Sequence, residues 1–180
     1  MCGAVLACVA VLGCSSGSEQ PSTGAIFTVP TKFSQGIRAT TVDVVDMGVP
    51  FGLYNRSAHT AQLRSVTIVG LPRSARLDSI LAYVPAHGAV ALAHGDYLKY
   101  CRKVDKFYPV TDVVAPAHSA SKWNVIIAVT FTKPGLYKIA HIKLVYQSNG
   151  NLYWQYESLN TIITVKSASA TSKPLFDGCP

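Results

Sequence analysis

The most constraining feature of the sequence is its final third, in which apolar runs alternate with residues that favour tight turns. In the first of these runs every second residue from Trp123 is apolar, and the middle is apolar on both sides, as in a strand covered on both faces. A Pro-Gly turn follows at Pro134, and the dipeptide Asn149-Gly150 predicts a hairpin. The predicted strands of this third are 123–131, 137–146, 152–156 and 161–165.

The preceding residues continue the same pattern with shorter apolar runs. No segment of ten or more residues shows the 3.6-residue periodicity of an amphipathic helix. The segment 86–121 is less regular, and we predict only short strands there, near 89–93 and 110–114. Further strands are predicted at 25–29, 40–45, 51–55, 61–69 and 80–84. Seven or eight short strands separated by turns predict an all-β fold, an antiparallel β-sandwich.

The corner before the second long run carries a family resemblance. The residues Pro134-Gly135-Leu136-Tyr137-Lys138-Ile139 resemble the corner that opens the sixth strand of immunoglobulin-like domains. The resemblance implies a hydrogen bond from Tyr137 back across the corner, and an immunoglobulin-like sandwich. The pattern is also similar to the small β-sandwich domains of uncharacterised actinobacterial lipoproteins.

The N-terminus predicts an export signal. Residues 4–12 form an apolar run of about nine residues, which suits the core of a signal peptide and is too short to span a bilayer. The run ends in Val11-Leu12-Gly13-Cys14, which resembles the lipobox of bacterial lipoproteins. Two departures are the absence of Lys or Arg before the run and the bulky Leu12. A hydrophobic N-terminal strand with a coincidental cysteine is the alternative.

The lipobox resemblance implies how the chain is divided and where it resides. Cys14 would be lipidated and would become the mature N-terminus, and two acyl chains on one diglyceride give stable anchoring. The expected division is a signal peptide at 1–13, a lipidated, flexible tether at 14–24 and a β-sandwich domain at 25–180. The expected location is the extracytoplasmic face of the cell membrane.

The cysteines outside this leader form one pair. Cys2 and Cys8 fall in the segment to be removed, and Cys14 is the lipid site, which leaves Cys101 and Cys179. In an oxidising compartment an even pair predicts a disulfide. The bridge would close a loop of about 79 residues. Two free thiols, or a metal bound by Cys101, are the alternatives.

Charge sets the expected partners. The chain has 16 Lys and Arg residues against 9 Asp and Glu residues, for a formal net charge of +7. Such an excess favours anionic surfaces. The basic residues are spread along the chain without a nucleic-acid-binding motif, so we expect no nucleic-acid partner. The expected partners are the membrane, through the lipid on Cys14, and an anionic envelope polymer or another envelope protein.

The densest basic cluster lies in the irregular segment, where basic and aromatic residues interleave between positions 97 and 108. Such side chains are favoured in interfaces and near anionic lipid. The alternative is a loop whose aromatic residues cover one end of the core while its lysines stay in water. The candidate binding surface consists of Tyr97, Lys99, Tyr100, Arg102, Lys103, Lys106 and Tyr108.

Motifs for catalysis or metal binding are weak. No Gly-x-Ser-x-Gly occurs, and the five histidines are widely spaced, with no His-x-x-x-His or Cys-x-x-Cys. We therefore expect a non-enzymatic binding or structural domain with no catalytic residues, metal or cofactor. The alternative is an exported enzyme or metal-handling protein that uses His87, His94 or His118 of the segment 86–121. The match of Asn55-Arg56-Ser57 to a glycosylation acceptor is attributed to chance.

Overall fold

The computed structural model describes the backbone of residues 20–21, 27–28, 35–39, 44–49, 53–84, 93–94, 98, 101–103 and 106–167. Side chains are described for residues 53–84, 98, 101, 103 and 106–167. In chain order the strands are β1 (Gln20–Pro21), β2 (Phe27–Thr28), β3 (Gln35–Ala39), β4 (Val44–Val49), β5 (Tyr54–Asn55), β6 (Ala61–Val69), β7 (Ala75–Tyr83), β8 (Ala93–His94), β9 (Phe107–Pro109), β10 (Val114–Ala115), β11 (Ser119–Ala120), β12 (Asn124–Phe131), β13 (Gly135–Ser148) and β14 (Asn151–Val165). Short 3₁₀ turns cover Cys101–Lys103 and Val110–Asp112.

The strands form two larger sheets and one small sheet. Sheet I has the order β1-β14-β13-β6-β10, with β3 also paired to β14. Sheet II has the order β8-β4-β12-β7-β9, and the small sheet has the order β11-β5-β2. The pairings are antiparallel except for β1 and β3, which run parallel to β14. None of the helices in the described part of the chain has the length and apolarity needed to cross a membrane.

One apolar core lies between sheets I and II. Alternate residues of β12, the central strand of sheet II, point into it together with residues from β6, β13 and β14 of sheet I. This period-two alternation places the opposite residues on the outer sides. The core residues with no exposed surface include Leu63, Ile127, Phe131, Ile142, Leu144 and Ile163.

A second, smaller cluster covers the outer side of sheet II. Ile126 of β12 points away from the main core and packs with Tyr83 and Cys101, all fully buried. Leu98 and Phe107 pack against the same cluster. Ile126 is therefore covered by the segment around the first 3₁₀ turn, and this is why the middle of β12 is apolar on both sides.

The predicted all-β class with antiparallel sheets is confirmed, while several predicted boundaries differ. The runs 152–156 and 161–165 belong to one strand, β14. Between them the register of β13 and β14 shifts in a β-bulge, next to which Asn160 has a φ of 46°. A bulge absorbs one residue without ending the strand, and asparagine tolerates positive φ. The run 80–84 belongs to the longer β7. Two- and three-residue strands raise the total above the predicted seven or eight. The immunoglobulin-like arrangement stays a prediction.

The corner before β13 contains the hydrogen bond that its sequence predicts. The Oη atom of Tyr137 donates to the carbonyl oxygen of Lys133 at 2.7 Å, and Ser74 Oγ donates to Tyr137 Oη at 3.3 Å. The ring of Tyr137 packs on Phe131 with centroids 4.6 Å apart. A Cβ on Gly135 would lie 3.3 Å from this ring, so the glycine leaves the room that the tyrosine occupies.

Removing the Tyr137 hydroxyl should weaken the fold without changing it. We expect Tyr137→Phe to lower the free energy of unfolding by about 1 kcal/mol, because the ring contact with Phe131 remains and the Lys133 carbonyl loses its donor. Urea denaturation followed by fluorescence measures this change. Tyr156→Phe, at a side chain that is 56% exposed, is the control and should leave the midpoint unchanged. Equal midpoints for both variants would show that the corner bond contributes nothing.

Candidate functional site

The outer side of sheet I is a surface on which apolar, aromatic and basic residues lie together. Ile142, Leu144 and Tyr146 of β13 point into the core, so the residues between them point outward, as do their cross-strand neighbours. We call the resulting surface the outer face. It consists of Thr67 and Val69 of β6, Lys138, His141 and Lys143 of β13, and Trp154, Tyr156, Ser158 and Ile162 of β14.

An aromatic and basic cluster occupies the middle of the outer face. Lys143 lies directly across from Tyr156 in the ladder of β13 and β14. Its Nζ is 5.2 Å from the centroid of the Trp154 ring, within the range of a cation–π contact. The rings of Trp154 and Tyr156 meet edge to face with centroids 5.3 Å apart. Tyr156 is 56% exposed, so the cluster presents an aromatic surface next to a positive charge.

Apolar side chains at the periphery of this cluster are also exposed. Ile162 is 42% exposed and Val69 is 38% exposed. Leu136, at the start of β13, is 73% exposed. His141 lies between them, with its Nδ1 3.5 Å from Ser158 Oγ. The outer face therefore combines contact area for an apolar or planar partner with hydrogen-bonding groups.

The electrostatic character of sheet I is basic. Its strands β6, β13 and β14 contain Arg64, Lys138 and Lys143, and their single carboxylate is Glu157. Glu157 lies opposite Ile142 on the core side, is 8% exposed, and accepts a hydrogen bond from Gln155. The carboxylate of these three strands thus lies on the core side of the sheet, whereas Lys138 and Lys143 lie on its outer side.

In sheet II, strand β7 carries one charge of each sign. Arg76 and Asp78 of β7 form an ion pair with 2.8 Å between Nε and Oδ1. Thr130 of β12 donates a hydrogen bond to the other oxygen of Asp78. An exposed pair of this kind contributes little to stability and leaves no net charge for a partner.

The candidate surface predicted at 97–108 is described only in part. Phe107 pairs with Tyr83 and Tyr108 with Ala82, so the two rings lie on opposite sides of sheet II. Tyr108 packs edge to face on Trp123 with centroids 5.2 Å apart. Lys103 and Lys106 are exposed. Tyr97, Lys99 and Tyr100 lie outside the described residues, and Arg102 is described by its backbone only. This surface stays a prediction.

The residues proposed for metal binding or covalent chemistry are only partly described. His118 is exposed, with a φ of 51°. His87, Cys14 and Cys179 lie outside the described residues, and His94 is described as part of β8 by its backbone alone. Within the part of the chain that the structure describes, no three His, Cys, Asp or Glu residues come together to hold a metal ion.

One sequence motif of nucleophilic enzymes, Ser-x-x-Lys, is present in the chain, but its two side chains do not contact each other. Ser119 and Lys122 fit the pattern Ser-x-x-Lys, which places both side chains on one side only in a helix. Ser119 lies in β11, and its Oγ donates to the carbonyl oxygen of Pro116 at 3.1 Å. The Nζ of Lys122 lies 5.8 Å from the Trp123 ring centroid. The two side chains therefore have separate contacts.

Sequence reasoning did not select Trp154 and Tyr156, the most conspicuous residues of the outer face. The signal was present, because Trp154 and Tyr156 are two residues apart, as are His141 and Lys143. Strands joined by the turn at Asn149-Gly150 bring these two pairs to one side of the sheet.

Comparisons with known proteins identify no family. No family model matches the chain, and no curated protein matches it. A solved structure that does match is that of the VesB protease of Vibrio cholerae, at 14% sequence identity and a TM-score of 0.37. The alignment covers 74% of this chain and 31% of the protease chain, so the chain spans about a third of that protein.

Proposed function

We propose that the chain is an exported, lipid-anchored protein of the cell envelope whose β-sandwich domain is a non-enzymatic binding module. The observation that carries the proposal is the outer face of sheet I, where Lys143, Trp154 and Tyr156 lie together on strands whose single carboxylate is buried on the other side. Aromatic rings beside cations suit an anionic partner with apolar or planar parts.

The proposed anchor is Cys14, on the resemblance of residues 11–14 to a lipobox. Two acyl chains on this cysteine would hold the domain at the membrane without a spanning segment. A strand pairing close behind Cys14 in the sequence supports a short connection. Gln20 and Pro21, which fall within the expected flexible tether, pair with Tyr153 and Trp154 of sheet I.

The immunoglobulin-like sandwich is the second part of the proposal. Two sheets share one core, and the hydrogen bond from Tyr137 to the Lys133 carbonyl matches the corner expected of that fold. The proposed bridge from Cys101 to Cys179 would tie the C-terminus to the segment over sheet II. The complete burial of Cys101 supports it.

Binding rather than catalysis is favoured by where the polar side chains lie. On the strands of the outer face, Glu157 is buried behind the sheet, whereas Lys138 and His141 are exposed in front of it. The face therefore supplies charge and contact area for recognition.

Replacing Cys14 tests the anchor. We expect Cys14→Ala to move the protein from the membrane fraction to the soluble or secreted fraction, because the lipid is attached to this sulfur alone. Cell fractionation with immunoblotting measures the distribution. The matched control is Cys8→Ala, in the segment to be removed, which should leave the protein membrane-bound. Retention of the Cys14→Ala protein in membranes would refute the lipid anchor.

A further inference from the structure

We propose that the outer face of sheet I lies against the anionic phospholipid head groups of the membrane that holds the Cys14 anchor. This inference rests on the proposed function, since it takes Cys14 as the point of attachment. It adds an orientation of the domain and a partner of defined chemistry.

The length of chain between the anchor and the fold limits how far the outer face can be from the membrane. Gln20 in β1 pairs with Tyr153 at the edge of sheet I. Six Cα-to-Cα steps separate Cys14 from Gln20, which is about 20 Å when fully extended. Tyr156 lies three residues along β14 from Tyr153, about 10 Å away. The middle of the outer face is thus at most about 30 Å of chain from the anchor.

The side chains of the outer face complement an anionic membrane surface. Tryptophan and tyrosine are favoured at the boundary between lipid and water, and here Trp154 and the exposed Tyr156 lie side by side. Lys143 stacks on Trp154, and Lys138 is exposed on the same strand. Basic residues at this depth are attracted to anionic lipid. Glu157, on the core side, does not oppose this attraction.

The opposite side of the domain provides the matched comparison. Lys103 and Lys106 are exposed beside the cluster that covers the outer side of sheet II. Sheets I and II share one core, so their outer sides face in opposite directions. A flat membrane can therefore contact only one of these surfaces in a given orientation.

The test uses the full chain reconstituted through its anchor into vesicles. The chain has two tryptophans, so Trp123→Phe leaves Trp154 as the single fluorophore. Lipids with a nitroxide on the head group should quench Trp154 in vesicles that contain phosphatidylglycerol, and much less in pure phosphatidylcholine. The variant K138E/K143E reverses two charges. We expect it to lower the quenching by a factor of about five or more, because a single lysine near the surface strengthens binding to anionic lipid by about that factor. K103E/K106E makes the same change in net charge on the competing surface predicted at 97–108, and we expect it to leave the quenching unchanged. A larger loss for K103E/K106E than for K138E/K143E would overturn the proposal and assign the membrane contact to that surface.

A second measurement serves if Trp123→Phe does not fold. Amine-reactive labelling of the unaltered chain, followed by mass spectrometry, should show Lys138 and Lys143 protected in anionic vesicles and Lys103 and Lys106 reactive. The proposal is overturned if the first two lysines react equally in both lipids, or if dextran sulfate protects them and vesicles do not, which would assign the face to an anionic polysaccharide. Membrane retention of Cys14→Ala reports separately on the anchor, so the two failures are distinguishable.

Discussion

Asn55→Asp should lower the free energy of unfolding by about 3–5 kcal/mol, because it places an uncompensated charge in a fully buried position. The Nδ2 atom of Asn55 donates to the carbonyl oxygens of His59 and Ala115, at 2.8 and 2.9 Å. Its Oδ1 accepts from the backbone nitrogen and the hydroxyl of Ser57, at 2.9 and 2.8 Å. A carboxylate would keep the contacts with Ser57 and would set its other oxygen against two carbonyl oxygens.

Two further variants separate charge from hydrogen bonding at this position. Asn55→Ala removes all four hydrogen bonds without adding charge, and we expect a loss of about 2–4 kcal/mol. Asn151→Asp, at an exposed position after the hairpin turn, should change stability by less than about 0.5 kcal/mol. Urea denaturation measures all three. A change under about 1 kcal/mol for Asn55→Asp would contradict the buried network.

The same network excludes glycosylation of the Asn55-Arg56-Ser57 sequence in the folded protein. Both hydrogens of the Asn55 amide are donated within the chain, and the side chain has no exposed surface. The match to an acceptor pattern therefore reflects a turn in which Ser57 binds the asparagine oxygen.

Ile127→Ala should destabilise the domain by about 2–5 kcal/mol, since Ile127 is fully buried in the central strand of sheet II. The substitution removes three carbons from the layer between the sheets and leaves a cavity that the paired strands β4 and β7 cannot close. The measurement is the free energy of unfolding in urea, at equal protein concentration for each variant.

The matched control is Ile162→Ala, which makes the same chemical change on the outer face. Ile162 is 42% exposed, so little apolar area returns to water, and we expect a loss below about 1 kcal/mol. Similar losses for Ile127→Ala and Ile162→Ala would mean that the core does not lie where the two sheets meet.

Local sequence signals were sufficient for the hairpin turn and the tyrosine corner of the final third. The two-residue turn at Asn149-Gly150 pairs Ser148 with Asn151, and the same register places Lys143 opposite Tyr156. A strict alternation then decides which side chains enter the core. The corner at Tyr137 was likewise predicted from Pro134 and Gly135, because the tight turn and the ring's space depend on those residue types.

Features that depend on tertiary contacts were not predictable in this way. The residues between the predicted strands 152–156 and 161–165 continue β14, because its pairing with β13 resumes on both sides of the bulge next to Asn160. Asn55 was predicted only as the end of a strand, and its burial depends on a hydrogen bond to Ala115, sixty positions later. Within the segment 97–108, it is the pairing of β9 with β7 that places the rings of Phe107 and Tyr108 on opposite sides of sheet II.

The mass of the mature protein extracted from membranes shows whether Cys14 carries the lipid. We expect a chain that begins at Cys14, lacks residues 1–13 and has a diacylglyceryl group on the Cys14 sulfur. An intact leader with an unmodified Cys14 would contradict the lipid anchor, and with it the proposal that the outer face of sheet I is held at the membrane.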